Sequence, residues 1–193
     1  MLKFRKNFWF PTLIFALLLA ILFIPGVRSS ITQGLMSLGY FKPKIENRPI
    51  DTSTTTSFTS LEFVNQDQQN VNGALLEGKV VFINFWATWC GPCLYEMPSI
   101  QKLYHNYKSH EDIVFLMVDV DGNLEQSVPF MKEHTFDLPV YIMTTQIPEE
   151  WLGNAIPCTI VLDKKGQLVY RHEGTANYAR TEFKDFIQQL VNE

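Results

Sequence analysis

Two cysteines, Cys90 and Cys93, stand with two residues between them in the run VVFINFWATWCGPCLYEMP. Three chemistries suit that spacing: a disulfide staple, half of a metal site, or a working redox pair. A staple over so short a loop removes little chain entropy and stabilises little. A structural zinc site needs two more ligands of suitable spacing. Only Cys158 remains of the three cysteines, and none of the four histidines is near the pair in sequence. A copper site made from these thiols and a distant histidine stays open.

The elements that must position the pair favour redox chemistry. KVVFINFWA is a continuous apolar, β-branched and aromatic run, which suits a strand buried on both faces. PCLYEMPSIQKLYHNYKSH carries Leu94, Met97, Ile100, Leu103, Tyr104 and Tyr107. Those offsets of three and four predict a helix with one buried face, kinked at Pro98. Cys90 then lies at a helix N-terminus, where unpaired N–H groups and the helix dipole favour a thiolate, the nucleophilic form. Cys93 follows one turn later, close enough to resolve a mixed disulfide. Gly91 is expected to permit the tight entry, and Pro92 fits the first turn because its missing N–H needs no partner there.

The remaining pattern predicts an α/β domain. FTSLEFV alternates as a strand and NQDQQNVNG is turn-rich. DIVFLMVDV is a second buried strand, and NLEQSVPFMKEHTF a helix containing Pro129. LPVYIM is a short strand and IPEEWLGN a short helix or turn. CTIVLDKKGQLVYRHEG is a hairpin turning at Lys164-Lys165-Gly166. ARTEFKDFIQQLVN closes the chain as an amphipathic helix with Phe183, Phe186, Ile187, Leu190 and Val191 on one side. Strands alternating with helices, then a hairpin and a last helix, give a mixed central β-sheet flanked by helices.

The N-terminus reads differently. Lys3, Arg5 and Lys6 precede an uncharged stretch from Asn7 to Val27. A helix of about 20 residues covers roughly 30 Å, enough to cross a bilayer core. The basic cluster ahead of it places the N-terminus in the cytoplasm and the body on the extracytoplasmic, periplasmic side of the cell membrane. Such a space is oxidising, and thiols there tend to pair. The alternative is a cleaved signal peptide, for which Val27-Arg28-Ser29 is a weak site. No cysteine follows the stretch closely, which excludes lipid attachment at a new N-terminal cysteine. The expected organisation is an anchor over 1–28, a linker over 29–57 and a globular domain over 58–193. In the linker, ITQGLMSLGYF is read as juxtamembrane coil or a short surface helix. At 46% hydrophobic and 19% charged the chain can build a core, and a net charge of −4 with no long basic run in its body excludes nucleic acid as a partner.

FINFWATWCGPC resembles the active-site signature of the thioredoxin superfamily, and CLYEMPSIQKLY narrows the likeness to its membrane-anchored, extracytoplasmic TlpA/ResA-like branch. The likeness covers roughly Phe58 to Val191. It implies a thioredoxin-like fold with an extra helix and strand, supplied by residues 123–143. It implies a thiol–disulfide oxidoreductase with no cofactor beyond the redox-active Cys90–Cys93 pair. Protein substrates with disulfides, exported apocytochromes among them, and a membrane electron donor are the implied partners.

The resemblance also implies roles. Cys90 matches the attacking cysteine, Cys93 the resolving one and Trp89 the tryptophan beside them. Pro157 matches the cis-proline facing the disulfide, and Ile156 before it offers backbone hydrogen bonds to an incoming polypeptide. Glu96 matches a glutamate that tunes the dithiol or relays its protons; the bland alternative is an exposed helix carboxylate. Asn84 stands where cytoplasmic thioredoxins have a buried aspartate, which leaves the acid–base work to Glu96. Cys158 departs from the usual Thr or Ser: it is either a small buried residue or a third thiol within reach of Cys90. Trp151 either borders the site or packs in the core. His105, His110, His134 and His172 read as solvated and carry no assigned role, and no metal ligand is assigned. An oxidase or peroxidase of the same fold, or a non-enzymatic client- or metal-binding module, are the alternatives.

Overall fold

The computed structural model describes residues 9–23 and 57–193, which belong to two separate compact units. The expected linker, apart from Ser57, lies outside the described residues, as do the ends of the expected membrane span at 7–8 and 24–27. In the first unit, α1 (Trp9–Phe23) has 15 residues. At 1.5 Å per residue it is about 22 Å long, short of the roughly 30 Å hydrocarbon core. No helix among the described residues is long and apolar enough to cross a membrane.

The second unit is built on one seven-stranded sheet. Its strands are β1 (Glu62–Asn65), β2 (Asn70–Asn72), β3 (Val80–Trp86), β4 (Ile113–Asp119), β5 (Val140–Met143), β6 (Cys158–Leu162) and β7 (Leu168–Glu173). The order across the sheet is β2-β1-β5-β4-β3-β6-β7. Strands β3, β4 and β5 run parallel, and β1, β6 and the two edge strands pair antiparallel with their neighbours. The helices are α2 (Gly91–Tyr107), α3 (Leu124–Glu133), α4 (Glu149–Leu152) and α5 (Thr181–Asn192). The expected extra helix and strand are α3 and β5. α2 runs unbroken through Pro98.

Strand β3 is buried along its whole length, and its side chains alternate between two cores. Val80, Phe82 and Trp86 join a cluster with Met97, Ile100 and Leu103 of α2, Met131 of α3 and Phe183 and Ile187 of α5. Val81, Ile83 and Phe85 join a second cluster with Phe58, Leu61, Leu76 and Trp151. Three long helices thus cover one face. The other face is covered by single turns at Phe58–Ser60 and Gly73–Leu76 and by the four-residue α4.

Two segments differ from expectation. The start of FTSLEFV is a turn of 3-10 helix rather than strand, because Phe58 and Leu61 both turn into the second core. In NQDQQNVNG only the first half is a turn. Asn65 Oδ1 accepts from Asp67 N at 3.0 Å and Gln69 N at 2.9 Å, and the tight bend it organises returns Asn70–Asn72 as β2, with Val71 opposite Phe63.

Candidate active site

Strand β3 delivers the chain to the site. Beyond Trp86 a tight turn ends at Cys90, the N-cap of α2. The Cys90 and Cys93 sulfurs are joined as a disulfide, with Cα atoms 5.3 Å apart. Cys90 Sγ also accepts the Cys93 backbone N–H at 3.2 Å, so the sulfur occupies the capping position of a helix N-terminus. The same N–H stabilises negative charge on that sulfur once the bond is reduced. Cys93 is fully buried and Cys90 nearly so, whereas Trp89 beside them is 69% exposed. Substrate can therefore approach over Trp89 and meet Cys90 before Cys93.

Trp89 is held in place despite its exposure. Its Nε1–H donates to Asp121 Oδ2 at 2.8 Å. Asp121 sits in the loop after β4, and Asp119 shapes that loop by accepting from the N–H groups of Asp121 at 3.1 Å and Asn123 at 3.2 Å. Burial pushes the Asp119 carboxyl up, against the pull of these hydrogen bonds.

Beneath the disulfide lies a polar cluster closed off from solvent. Glu96 lies on α2 one turn beyond Cys93 and is fully buried, not an exposed carboxylate. Its Oε1 accepts from Asn84 Nδ2 at 2.7 Å and its Oε2 from Ala176 N at 3.0 Å. Desolvation dominates over these two bonds and pushes the carboxyl up to about 8. Asn84 Nδ2 also donates to Thr159 Oγ1 at 2.9 Å. The Tyr170 and Tyr178 hydroxyls are buried with no hydrogen-bond partner among the described residues. Asn84 Oδ1 is also buried with no partner among the described residues.

The turn after β7 ties this cluster to the cis-proline. The Ile156–Pro157 bond is cis. Pro157 O accepts from Gly174 N at 2.8 Å, Pro92 O accepts from Thr175 Oγ1 at 3.1 Å, and Ala176 N reaches Glu96. Three consecutive residues thus touch the cis-proline, the dithiol loop and the buried carboxyl. Ile156 is partly buried against the cluster that contains Cys90 and Cys93.

Residues 51–190 match the family described as Redoxin. The chain belongs to the Redoxin family. It is 31% identical to a Thiol-disulfide oxidoreductase ResA of Bacillus cereus over 117 residues, which are 60% of this chain and 66% of that protein. It is 30% identical to Thioredoxin-like protein YneN of Bacillus subtilis (strain 168) over 126 residues, 65% of this chain and 73% of that protein. The match to ResA thus spans just under two thirds of that relative's length. Among solved structures, a thiol:disulfide interchange protein of the thioredoxin family from Chlorobium tepidum TLS superposes with a TM-score of 0.57 at 24% identity. That alignment covers 72% of this chain and 98% of the other, and it shows the thioredoxin-like fold.

Within the Redoxin fold, Trp89, Cys90, Gly91, Pro92, Cys93 and Glu96 follow one another along the chain, and Gly174, Thr175 and Ala176 link them to Pro157 and its neighbour Ile156. Gly91 needs a different account from the expected one. Its φ is not positive and a Cβ there would meet nothing, so helix entry does not require glycine. Cys158 pairs with Phe85, and both side chains belong to the second core, on the face away from Cys90 and Cys93. Its thiol donates to Trp151 O at 3.1 Å, and burial pushes it up to about 11. Trp151 is a packing aromatic with no exposed surface. Of the histidines read as solvated, His105 pairs with Asp137 at 2.8 Å and His134 stacks on Phe130 with ring centroids 4.2 Å apart. His172 is half-buried, which lowers its pKa.

Sequence reasoning missed Asp121, Thr159 and Ala176, whose contacts span from 32 to 80 residues of chain. No local pattern marks them. The one available signal was Asn84, a polar residue in an otherwise apolar strand, which calls for a buried partner.

Proposed function

We propose that this Redoxin protein is a thiol–disulfide oxidoreductase that reduces disulfides in exported proteins. The observation that carries the reading is the Cys90–Cys93 disulfide at the N-terminus of α2, its outer sulfur capping the helix and its inner sulfur buried. The likeness to ResA supports the same activity. In the reduced protein the Cys90 thiolate attacks one sulfur of a substrate disulfide. A mixed disulfide forms and the first substrate thiolate leaves. Cys93, deprotonated in turn, attacks Cys90 Sγ, which releases the second substrate thiol and restores the Cys90–Cys93 bond. Two electrons pass to the substrate, and a membrane electron donor returns them. Glu96, in its ionised form, takes the proton that Cys93 must lose. Ile156, before the cis-proline, aligns the substrate backbone, and Trp89 forms the wall on which it docks.

In this reading the N-terminal segment holds the domain to the membrane on its extracytoplasmic side, and apocytochromes awaiting haem are among the clients. The support is the basic cluster ahead of the uncharged stretch, and the exposure of Leu13, Ile14, Phe15, Leu17 and Leu18 around the circumference of α1.

The test is the reduction potential of the Cys90–Cys93 couple in the full chain, held in detergent, together with insulin reduction. A potential near that of thioredoxin, about −270 mV, with turnover lost in Cys90→Ser, supports a reductase. A potential near about −120 mV makes the protein a disulfide donor instead.

A further inference from the structure

Two donors converge on one backbone carbonyl behind the cis-proline loop. The Cys158 thiol donates to Trp151 O at 3.1 Å, and Arg171 Nε–H donates to the same oxygen at 3.3 Å. Arg171 also pairs with the carboxylate of Glu173. Gly153 follows with φ 65°, and a Cβ there would collide with the side chains of Arg171 and Glu173. The chain therefore passes hard against this ion pair. At the other end of the loop, Gly174 N holds Pro157 O at 2.8 Å.

The segment from Trp151 to Pro157 is thus gripped at both ends by β6, β7 and the turn that follows β7. It needs that grip. α4 has four residues, too few to hold a helical turn unaided, and residues 153–157 belong to no helix or strand. Arg171 stands opposite Ile160, a residue of the second core, so it projects on the face of the sheet away from the dithiol. It can act on the site only through the loop.

We infer that Arg171 is a positioning residue for polypeptide substrates: by holding the Trp151 carbonyl together with Cys158, it fixes the loop whose Ile156 backbone aligns the incoming chain. The inference rests on the disulfide-reductase reading above. A thiol is a weak donor, so without Arg171 the carbonyl keeps only a feeble tie. The loop then has more conformations to lose when a polypeptide binds, which weakens binding of extended substrates. A small disulfide has no backbone to align and is indifferent to the loop.

The experiment compares Arg171→Met, which keeps the apolar stem and removes the donors, with Arg171→Lys, which restores one. Full chain in detergent, with dithiothreitol as reductant, is assayed on insulin and on hydroxyethyl disulfide. Arg171→Met should raise KM for insulin at least about tenfold, the low end of the range for loss of one charged-group hydrogen bond. Its kcat, its turnover of hydroxyethyl disulfide and the Cys90–Cys93 potential should stay at wild-type values, and Arg171→Lys should recover most of the insulin KM. An unchanged insulin KM, or an equal loss on both substrates, overturns the inference. Amide hydrogen exchange over residues 153–156 gives a readout independent of turnover. Exchange about tenfold faster in Arg171→Met supports the clamp, and unchanged exchange overturns it. A wild-type protein that reduces neither substrate sinks the reductase reading instead, while the exchange result still decides the clamp. Should Arg171→Met not fold, Arg171→Leu, which also lacks a donor, carries the same comparison.

Discussion

Asn84 Nδ2 lies 2.7 Å from Glu96 Oε1, so an amide from the central strand and a carboxyl from the active-site helix meet in a space closed to solvent. The carboxyl is pushed up to about 8 because burial outweighs the hydrogen bonds that favour its charged form. A group poised there can exchange a proton with a thiol one helical turn away near neutral pH. Glu96→Gln keeps the shape and removes the titration. The pH profile of insulin reduction should lose its inflection near 8, and the step in which Cys93 resolves the mixed disulfide should slow on the order of 100-fold. Stopped-flow measurement of that step across pH checks it.

The same group gives stability a pH dependence of definite sign. Its folded pKa of about 8 lies above the ordinary 4.5, so the folded state binds the extra proton between those values. The stabilising contribution is fully present below pH 4.5 and is lost as pH rises through about 8. The melting temperature of the wild-type protein, relative to Glu96→Gln, should therefore fall across that window and level off above it. A difference independent of pH would mean that Glu96 titrates normally in the fold.

Asn84→Ala tests the pairing from the strand side. It leaves Glu96 Oε1 and Thr159 Oγ1 without their buried donor. The expected cost is about 1–3 kcal/mol in urea denaturation. The Glu96 pKa should move further up, because a bond that favours its charged form is gone. The inflection in the pH profile would then shift to higher pH rather than vanish, which separates this variant from Glu96→Gln.

The site was legible in sequence wherever chemistry is local. Cys90 and Cys93 are three residues apart, and the strand and helix that hold them announce themselves by apolar patterning over seven and seventeen residues. The sheet, the α3–β5 insertion and the hairpin of β6 and β7 were legible for the same reason. What sequence could not supply was register. That Asn84 faces Thr159, and that Cys158 faces away from Cys90, follow from strand pairing, where a slip of one residue turns every side chain to the other face. β2 was hidden because its three residues, Asn70 to Asn72, have no strand propensity as a set and form a strand only by pairing with β1.

Asp121 and Trp89 make a surface contact whose value is positional. Trp89 is 69% exposed, so its packing contributes little to the fold, and one hydrogen bond to Asp121 sets its ring orientation. Asp121→Ala should leave stability within about 1 kcal/mol of wild type. It should change the tryptophan emission difference between the oxidised and reduced forms, because the indole beside the disulfide is then free to turn. Comparison with Trp89→Phe identifies the contribution of that indole. Identical emission in wild type and Asp121→Ala would show that the bond does not hold the ring.

Cys158 should behave as a packing residue with one donor, not as a third redox thiol. It is buried, its side chain lies in the core opposite the dithiol, and its pKa is pushed up to about 11, so it supplies almost no thiolate at neutral pH. Iodoacetamide applied to the reduced, folded protein should label Cys90 and leave Cys158 unmodified until denaturant is added. Mass mapping of the oxidised protein should find the Cys90–Cys93 disulfide alone. Cys158→Ala removes the thiol donor from Trp151 O and leaves a small void, at an expected cost of about 1–2 kcal/mol. The Cys90–Cys93 potential should be unchanged in that variant. Any mixed species joining Cys158 to Cys90 or Cys93 under native oxidation would require the loop from Trp151 to Pro157 to open, and would return Cys158 to the redox chemistry.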